Sequence, residues 1–204
     1  MLESVPKSNF ETAYENNQPP WDIDGPQPDL VRVADRITDR VLDCGCGTGE
    51  NTLFFALRGC TVTGFDFLEA PIAIAKKKAN ERGISATLLV NDALKLKNWN
   101  EKFDNIIDSG LFHVFSDEDM KTYIEGLAHV IKPGGHLFLL CFSDAEPEGF
   151  GPRRIPRAMI YERFKDGWEV ESIGPTRFGT RKEFWGSRFS QGGPHAWFAI
   201  IRKF

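Results

Sequence analysis

Long apolar runs are missing from this chain, and nothing in it approaches the roughly 20 consecutive apolar residues that cross a bilayer. The start, Met1-Leu2-Glu3-Ser4-Val5-Pro6, has no basic segment leading into an apolar one, so no secretory leader is expected. Cysteine is scarce: there are four, at positions 44, 46, 60 and 141. Cys44 and Cys46 have no second Cys/His pair at ligand spacing, which argues against a metal and for reduced thiols packed in the core of a cytoplasmic protein. An excess of positive charge is also absent. Lys and Arg number 25 against 29 Asp and Glu, a net charge of -4, and the isoelectric point is near 5.6. A polyanion would meet no general attraction, so neither nucleic acid nor membrane is expected as a partner. No repeat or low-complexity segment is visible.

What the chain does have is the material for one domain. Its 204 residues are 41% hydrophobic and 26% charged, with both signs interspersed. Residues 1–28 are rich in Pro and Asn and carry Phe10, Tyr14 and Trp21; Pro19, Pro20, Pro26 and Pro28 forbid a continuous helix. They read as an arm with one short helix, leaving 29–204 as the domain. Apolar runs then alternate with helical patterns, which indicates an α/β fold with a mostly parallel sheet covered on both faces. Strands are expected at 40–44, 61–65, 86–90, 103–107, 136–142, 169–173 and 196–203. Helices are expected at 50–58, 69–82, 117–130 and near 155–164. Gly59 and Gly83 supply stops, Ser116 an N-cap, and Lys132-Pro133-Gly134-Gly135 a turn. In the second helix Ile72, Ile74, Ala75 and Ala79 recur at helical spacing.

The sharpest local feature is Val41-Leu42-Asp43-Cys44-Gly45-Cys46-Gly47-Thr48-Gly49, a strand that breaks into alternating glycines before a helix. Glycine serves where backbone turns tightly or must approach a ligand closely. In open α/β sheets, ligands bind beyond the carboxyl ends of the strands beside such a loop. Asp66 closes the second strand, where a carboxylate accepts from ribose hydroxyls; Asp92 follows the third, where one accepts from an adenine amino group; Asp108 ends the fourth. Each alone reads as a cap or turn residue. Together they mark the carboxyl edges of successive strands.

Asp43-Cys44-Gly45-Cys46-Gly47-Thr48-Gly49 resembles motif I of the class I S-adenosylmethionine-dependent methyltransferases, and Asp66, Asp92 and the Ile131-Lys132-Pro133-Gly134-Gly135 turn fall where that family's later motifs lie. The resemblance implies a Rossmann-like seven-stranded sheet of order 3-2-1-4-5-7-6 with strand seven antiparallel, and S-adenosyl-L-methionine as cofactor. It further implies that Asp43, Gly45, Cys46, Gly47 and Gly49 hold the methionine part, Asp66 with Phe67 the ribose side, Asp92 and Ala93 the adenine, and that Ser109 lies near the methionine moiety. Pro20-Trp21-Asp22-Ile23-Asp24-Gly25-Pro26-Gln27-Pro28 is similar to the arm of thiol, halide and thiopurine methyltransferases, which brings Trp21 to the cofactor. Residues 139–172 resemble bacterial enzymes acting on quinolone-like or phenolic heterocycles.

Three alternatives are weighed against this. A nicotinamide-dependent dehydrogenase needs G-x-G-x-x-G, but the third glycine position is Glu50, whose carboxylate opposes a pyrophosphate. A nucleobase methyltransferase resembles its relatives in a D/N-P-P-Y/F segment, whereas Asp108-Ser109-Gly110-Leu111 lacks both prolines. A non-catalytic cofactor-binding protein of the same fold is separated only by turnover. The expectation is therefore methyl transfer to an O, S or N atom of a small aromatic or heterocyclic molecule. Transfer of this kind is mainly positioning. For a phenol, N-hydroxyl or thiol acceptor, His113 is the expected general base. Tyr14, Phe112, Phe115 and Trp21 are expected as aromatic walls, Arg153 and Arg154 as acceptor-binding cations, and 178–191 as a lid.

Overall fold

The computed structural model describes residues 3–16 and 19–204; of the 1–28 arm, Met1, Leu2, Asn17 and Gln18 lie outside the described residues. The strands are β1 (Arg40–Cys44), β2 (Thr61–Asp66), β3 (Thr87–Val90), β4 (Phe103–Ser109), β5 (Ile131–Phe142), β6 (Trp168–Arg177) and β7 (His195–Lys203). The helices are α1 (Lys7–Glu15), α2 (Pro28–Arg32), α3 (Glu50–Leu57), α4 (Glu69–Arg82), α5 (Asp117–Val130) and α6 (Arg157–Arg163). The sheet runs β3-β2-β1-β4-β5-β7-β6, parallel from β3 through β5, with β7 antiparallel to both neighbours. The strand order reverses between β1 and β4, which opens the crevice where such sheets bind ligands.

The inner strands read as continuous apolar runs because both sheet faces are covered. Successive side chains go to opposite layers, as strand geometry requires. Leu42, Ile106, Leu137, Leu139 and Cys141 join one cluster with Tyr123 and Leu127 of α5. Val41, Ile107, Phe138 and Leu140 join the other with Leu30 of α2 and Phe55 of α3. The Ser116 hydroxyl accepts the Asp119 amide at 3.1 Å and caps α5. Gly83 ends α4 in the left-handed region at φ 64°.

The differences from expectation are local. The 132–135 turn lies inside β5 as a bulge: Phe103 pairs with Ile131 and Asn105 with His136. Strand β6 runs on to Arg177 through Gly174 and Pro175, residues that read as a stop; it is an edge strand, where a proline withholds no ladder hydrogen bond on its solvent side. Helix α6 begins only after Pro156. On α4, Ile72, Ala75 and Ala79 are buried but Ile74 is exposed.

At Gly64 of β2 a Cβ would collide with the Thr52 hydroxyl and stand 3.1 Å from Cys46 Sγ. That hydroxyl is bonded to the Asp43 carboxylate at 2.7 Å and has nowhere to move. Gly64→Ala is expected to lower stability by about 1–3 kcal/mol, the usual cost of overpacking. Urea unfolding measures it, and an unshifted midpoint would mean the loop yields freely.

Candidate functional site

Beyond β1 the chain passes through Gly45, Gly47 and Gly49 at φ 67°, 54° and 85°, all in the left-handed region. Two of them also have no room for a side chain: a Cβ on Gly49 would stand 2.8 Å from Ala75 Cβ of α4, and one on Gly47 would stand 3.0 Å from the Tyr14 hydroxyl. The loop is anchored from the next strand. Asp66 accepts the Gly47 amide at 3.2 Å and the Leu68 amide at 3.0 Å. Asp108 accepts the Leu111 and Phe112 amides at 2.9 and 3.1 Å and the Tyr123 hydroxyl at 2.9 Å.

Asp43, Asp66 and Asp108 are buried at the carboxyl ends of three adjacent strands, and none has a salt-bridge partner among the described residues. Burial pushes Asp43 up to about 7 and Asp66 and Asp108 up to about 6, against the hydrogen bonds that favour their ionised forms. For Asp43 the charges of Asp108 and Asp66 add to the rise. The floor of the crevice thus holds three buried carboxyls with no salt-bridge partner among the described residues.

The arm closes over it. Phe10 of α1 packs on Trp21 and Phe67 with ring centroids 5.7 and 5.5 Å apart. The Trp21 indole N–H donates to the Tyr14 oxygen at 3.1 Å. The Thr48 hydroxyl donates to Asp22 at 2.9 Å and accepts from Lys78 at 2.9 Å, so the arm is tied to the glycine loop. Gln27 exchanges hydrogen bonds with the Gly179 backbone, and the Arg181 amide donates to the Pro20 carbonyl at 2.8 Å, tying the arm to the segment after β6. Trp21, Asp22, Gly45, Gly47, Ser109 and Phe178 line a crevice open to solvent.

The expected residues divide. Trp21, Gly45, Cys46, Gly47 and Ser109 line the crevice, Tyr14 roofs it, and Asp43, Gly49 and Asp66 support it from below. Phe67 stacks edge-on against the arm. Asp92 and Ala93 follow β3, where Asp92 caps the next turn through the Leu94 amide at 2.9 Å and faces Lys95 at 3.8 Å. Phe112 and Phe115 are not brought to the crevice: they sit in the opposite layer against Phe164 and Tyr123. Arg153 turns away to Asp117 at 2.9 Å, and the Arg154 guanidinium is ringed by the carbonyls of Glu146, Pro147, Phe150 and Pro152. No group of His, Cys, Asp and Glu able to hold a metal occurs among the described residues.

His113 differs from the expected base. Its Nδ1 accepts the Phe142 amide at 2.8 Å, so the ring proton is on Nε2, which bonds to the Gly110 backbone. Burial, with the Arg154 charge added, holds it down to about 3. Its ring packs on Phe142 and Phe178 at 4.7 and 6.0 Å, and it pins the end of β4 to the end of β5. Asp22, Thr48, Gln27, Phe142 and Phe178 complete the site and were not singled out from sequence. The Pro20–Pro28 pattern pointed toward Asp22 and Gln27, the glycine motif contains Thr48, and Phe178 opens the segment expected as a lid.

A crevice at the switch point, bounded by a glycine-rich loop and a carboxylate closing the neighbouring strand, is where open Rossmann-like sheets bind ligands. Comparison with known proteins narrows this. Residues 41–135 match the model of a methyltransferase domain. The 2-heptyl-1-hydroxyquinolin-4(1H)-one methyltransferase of Mycobacteroides abscessus is 31% identical over 95% of this chain and 88% of its own length. A probable thiol methyltransferase of Arabidopsis thaliana is 29% identical over 85% of this chain and 79% of its own. A solved structure described under the conversion of a disulfide bond into a thioacetal group during echinomycin biosynthesis superimposes with a TM-score of 0.84 at 32% identity, covering 97% of this chain and 93% of the other. The chain belongs to the class I S-adenosylmethionine-dependent methyltransferases. The residues present are compatible with that cofactor: the loop glycines let backbone approach a ligand closely, and the buried carboxyls of Asp43, Asp66 and Asp108 have no salt-bridge partner among the described residues.

Because the folded-state value of Asp43 lies above its ordinary 3.8, this group favours folding at low pH. That contribution is lost as pH rises from about 4 through 7. Asp43→Asn, always neutral, is expected to gain stability relative to the parent over that range, by on the order of 3 kcal/mol. Urea unfolding at pH 4 and pH 8 measures the difference; a pH-independent difference would remove the buried charge from the account.

Proposed function

We propose that this methyltransferase acts on an O, S or N atom of a small aromatic or heterocyclic molecule. The observation that carries the reading is that the aromatic rings of Trp21 and Phe178 line the crevice together with Ser109, Phe142 packing edge-on against Phe178. Aromatic faces beside polar groups such as Asp22, Gln27, Thr48 and Asn51 suit a planar ring that carries hydrogen-bonding substituents. Supporting it are the full-length similarities to enzymes named for a hydroxyquinolone and for thiols. The acidic balance gives no support to a nucleic-acid substrate, and the four unpaired cysteines favour a reducing compartment such as the cytosol.

When bound, S-adenosylmethionine supplies an electrophilic methyl group on sulfur. Asp66 is assigned the ribose hydroxyls, the 45–49 loop the methionine portion, and the end of β3 at Asp92 and Ala93 the adenine. The described residues of the arm act as a cover: Trp21 and Tyr14 close the crevice and exclude water, and the aromatic faces suit a cationic centre. His113 fixes the loop after β4, so that Ser109 and Gly110 keep their place beside Phe178.

Asp66→Ala is expected to weaken S-adenosylmethionine binding by about 1–3 kcal/mol, the worth of charged hydrogen bonds. Titration calorimetry reads this directly, and unchanged affinity would remove the ribose assignment. Methyl incorporation from labelled cofactor into a panel of hydroxyquinolones, phenols and thiols tests the acceptor class. Turnover confined to nucleic acid would overturn it.

A further inference from the structure

We propose that Lys78, a residue of α4 outside the crevice, holds the arm closed over the cofactor by fixing the direction of the hydrogen bond from Thr48 to Asp22. It is a positioning residue and acts on the site only through Thr48. The inference rests on the methyltransferase reading for the identity of what lies beneath the arm.

Three lysines follow one another in α4, and the fold treats them differently. Lys76 and Lys77 face solvent, with Lys77 3.8 Å from Glu81 one turn on. Lys78 is turned inward, its side chain 18% exposed, and its ammonium stands 2.9 Å from Glu50 and 2.9 Å from the Thr48 hydroxyl oxygen. An ammonium carries donors and no acceptor. The Thr48 oxygen therefore accepts from Lys78, and its single proton is left for Asp22 Oδ2 at 2.9 Å. With Lys78 gone, that hydroxyl is free to rotate and donate elsewhere.

The surrounding charges point the same way. Glu50 already receives two Arg82 nitrogens, at 2.9 and 2.8 Å. Asp24 and Glu81 act on Arg82 as well. Arg181, which lines a surface pocket together with Asp22 and Asp24, donates to Glu183 at 2.6 Å. Lys78 is the cation that reaches Asp22 through one hydroxyl, and a charged donor strengthens the bond that follows it.

Where the link sits decides what it does. The arm is fastened near both ends: the Val5 amide donates to the Val114 carbonyl at 2.8 Å, and the Gln27 amide to Asn51 Oδ1 at 2.9 Å. Between them Phe10 packs on Phe67, and the Pro20 carbonyl takes the Arg181 amide. Asp22 supplies the side-chain hydrogen bond from this span to the glycine loop, and its neighbour Trp21 lines the crevice. Releasing Asp22 frees Trp21 to lift while the ends of the arm stay attached.

Hydrogen exchange read by mass spectrometry on the unliganded protein tests the latch, using K78M, T48V, T48S and the double variant K78M/T48V. K78M keeps the apolar stem and T48V the shape, so neither leaves a cavity. The amides of α1 and of residues 21–25 are expected to exchange about tenfold faster in K78M and in T48V, the worth of one charged hydrogen bond, while those of β1 and β4 keep the parent's rates. T48S is expected to match the parent, and the double variant to exchange no faster than T48V. Calorimetry with S-adenosylhomocysteine is expected to show the same order, with Kd raised about tenfold in K78M and T48V. Three results would each overturn the proposal: parent-like exchange in K78M, a K78M effect undiminished in the T48V background, or acceleration in β1 and β4 as large as in the arm. If the parent itself binds no S-adenosylhomocysteine, the methyltransferase reading has failed, and the exchange rates still decide the latch.

Discussion

Three carboxylates buried without a cation at the carboxyl ends of β1, β2 and β4 are the constraint around which this site is organised. Each is held by neutral donors: Thr52 for Asp43, the Gly47 and Leu68 amides for Asp66, and two amides with Tyr123 for Asp108. The donors fix the carboxylates in place but do not neutralise them. A protein accepts such an arrangement where something else supplies the missing charge.

The same carboxylates shape the chain around them. Asp66 takes the Gly47 amide, which fixes the loop in a conformation that suits glycine at 45, 47 and 49. Asp43 holds Thr52 of α3, and that hydroxyl requires glycine at position 64 on the neighbouring strand. Asp108 orders the turn that carries His113, whose imidazole then ties β4 to β5. The glycine loop and the turn after β4 are therefore one continuous hydrogen-bonded structure, and the arm is latched to it at Thr48 on one side and Gly179 on the other.

The parts legible beforehand were those set by local chemistry. The glycine run after an apolar strand, Asp66 at the end of β2, and the capped α5 all follow from sequence neighbours, and they lie where expected. The reach of β6 past Pro175 was not legible, because edge position alone makes a proline acceptable there. Phe112 and His113 show the limit well. They are adjacent, yet the short 3-10 turn sends one ring into the α5 layer and the other between Phe142 and Phe178.

By itself, then, the sequence determined the α/β class, the cofactor edge of the sheet and the acidic residues on it. Those features depend on backbone conformation and on residues a few positions apart. Tertiary structure alone decided which rings line the crevice, that Phe178 from beyond β6 joins Ser109 from β4 there, and that His113 has no lone pair to spare. These depend on chain segments distant in sequence meeting across the sheet, and the hydrogen bonds a side chain gives up there set what chemistry it has left.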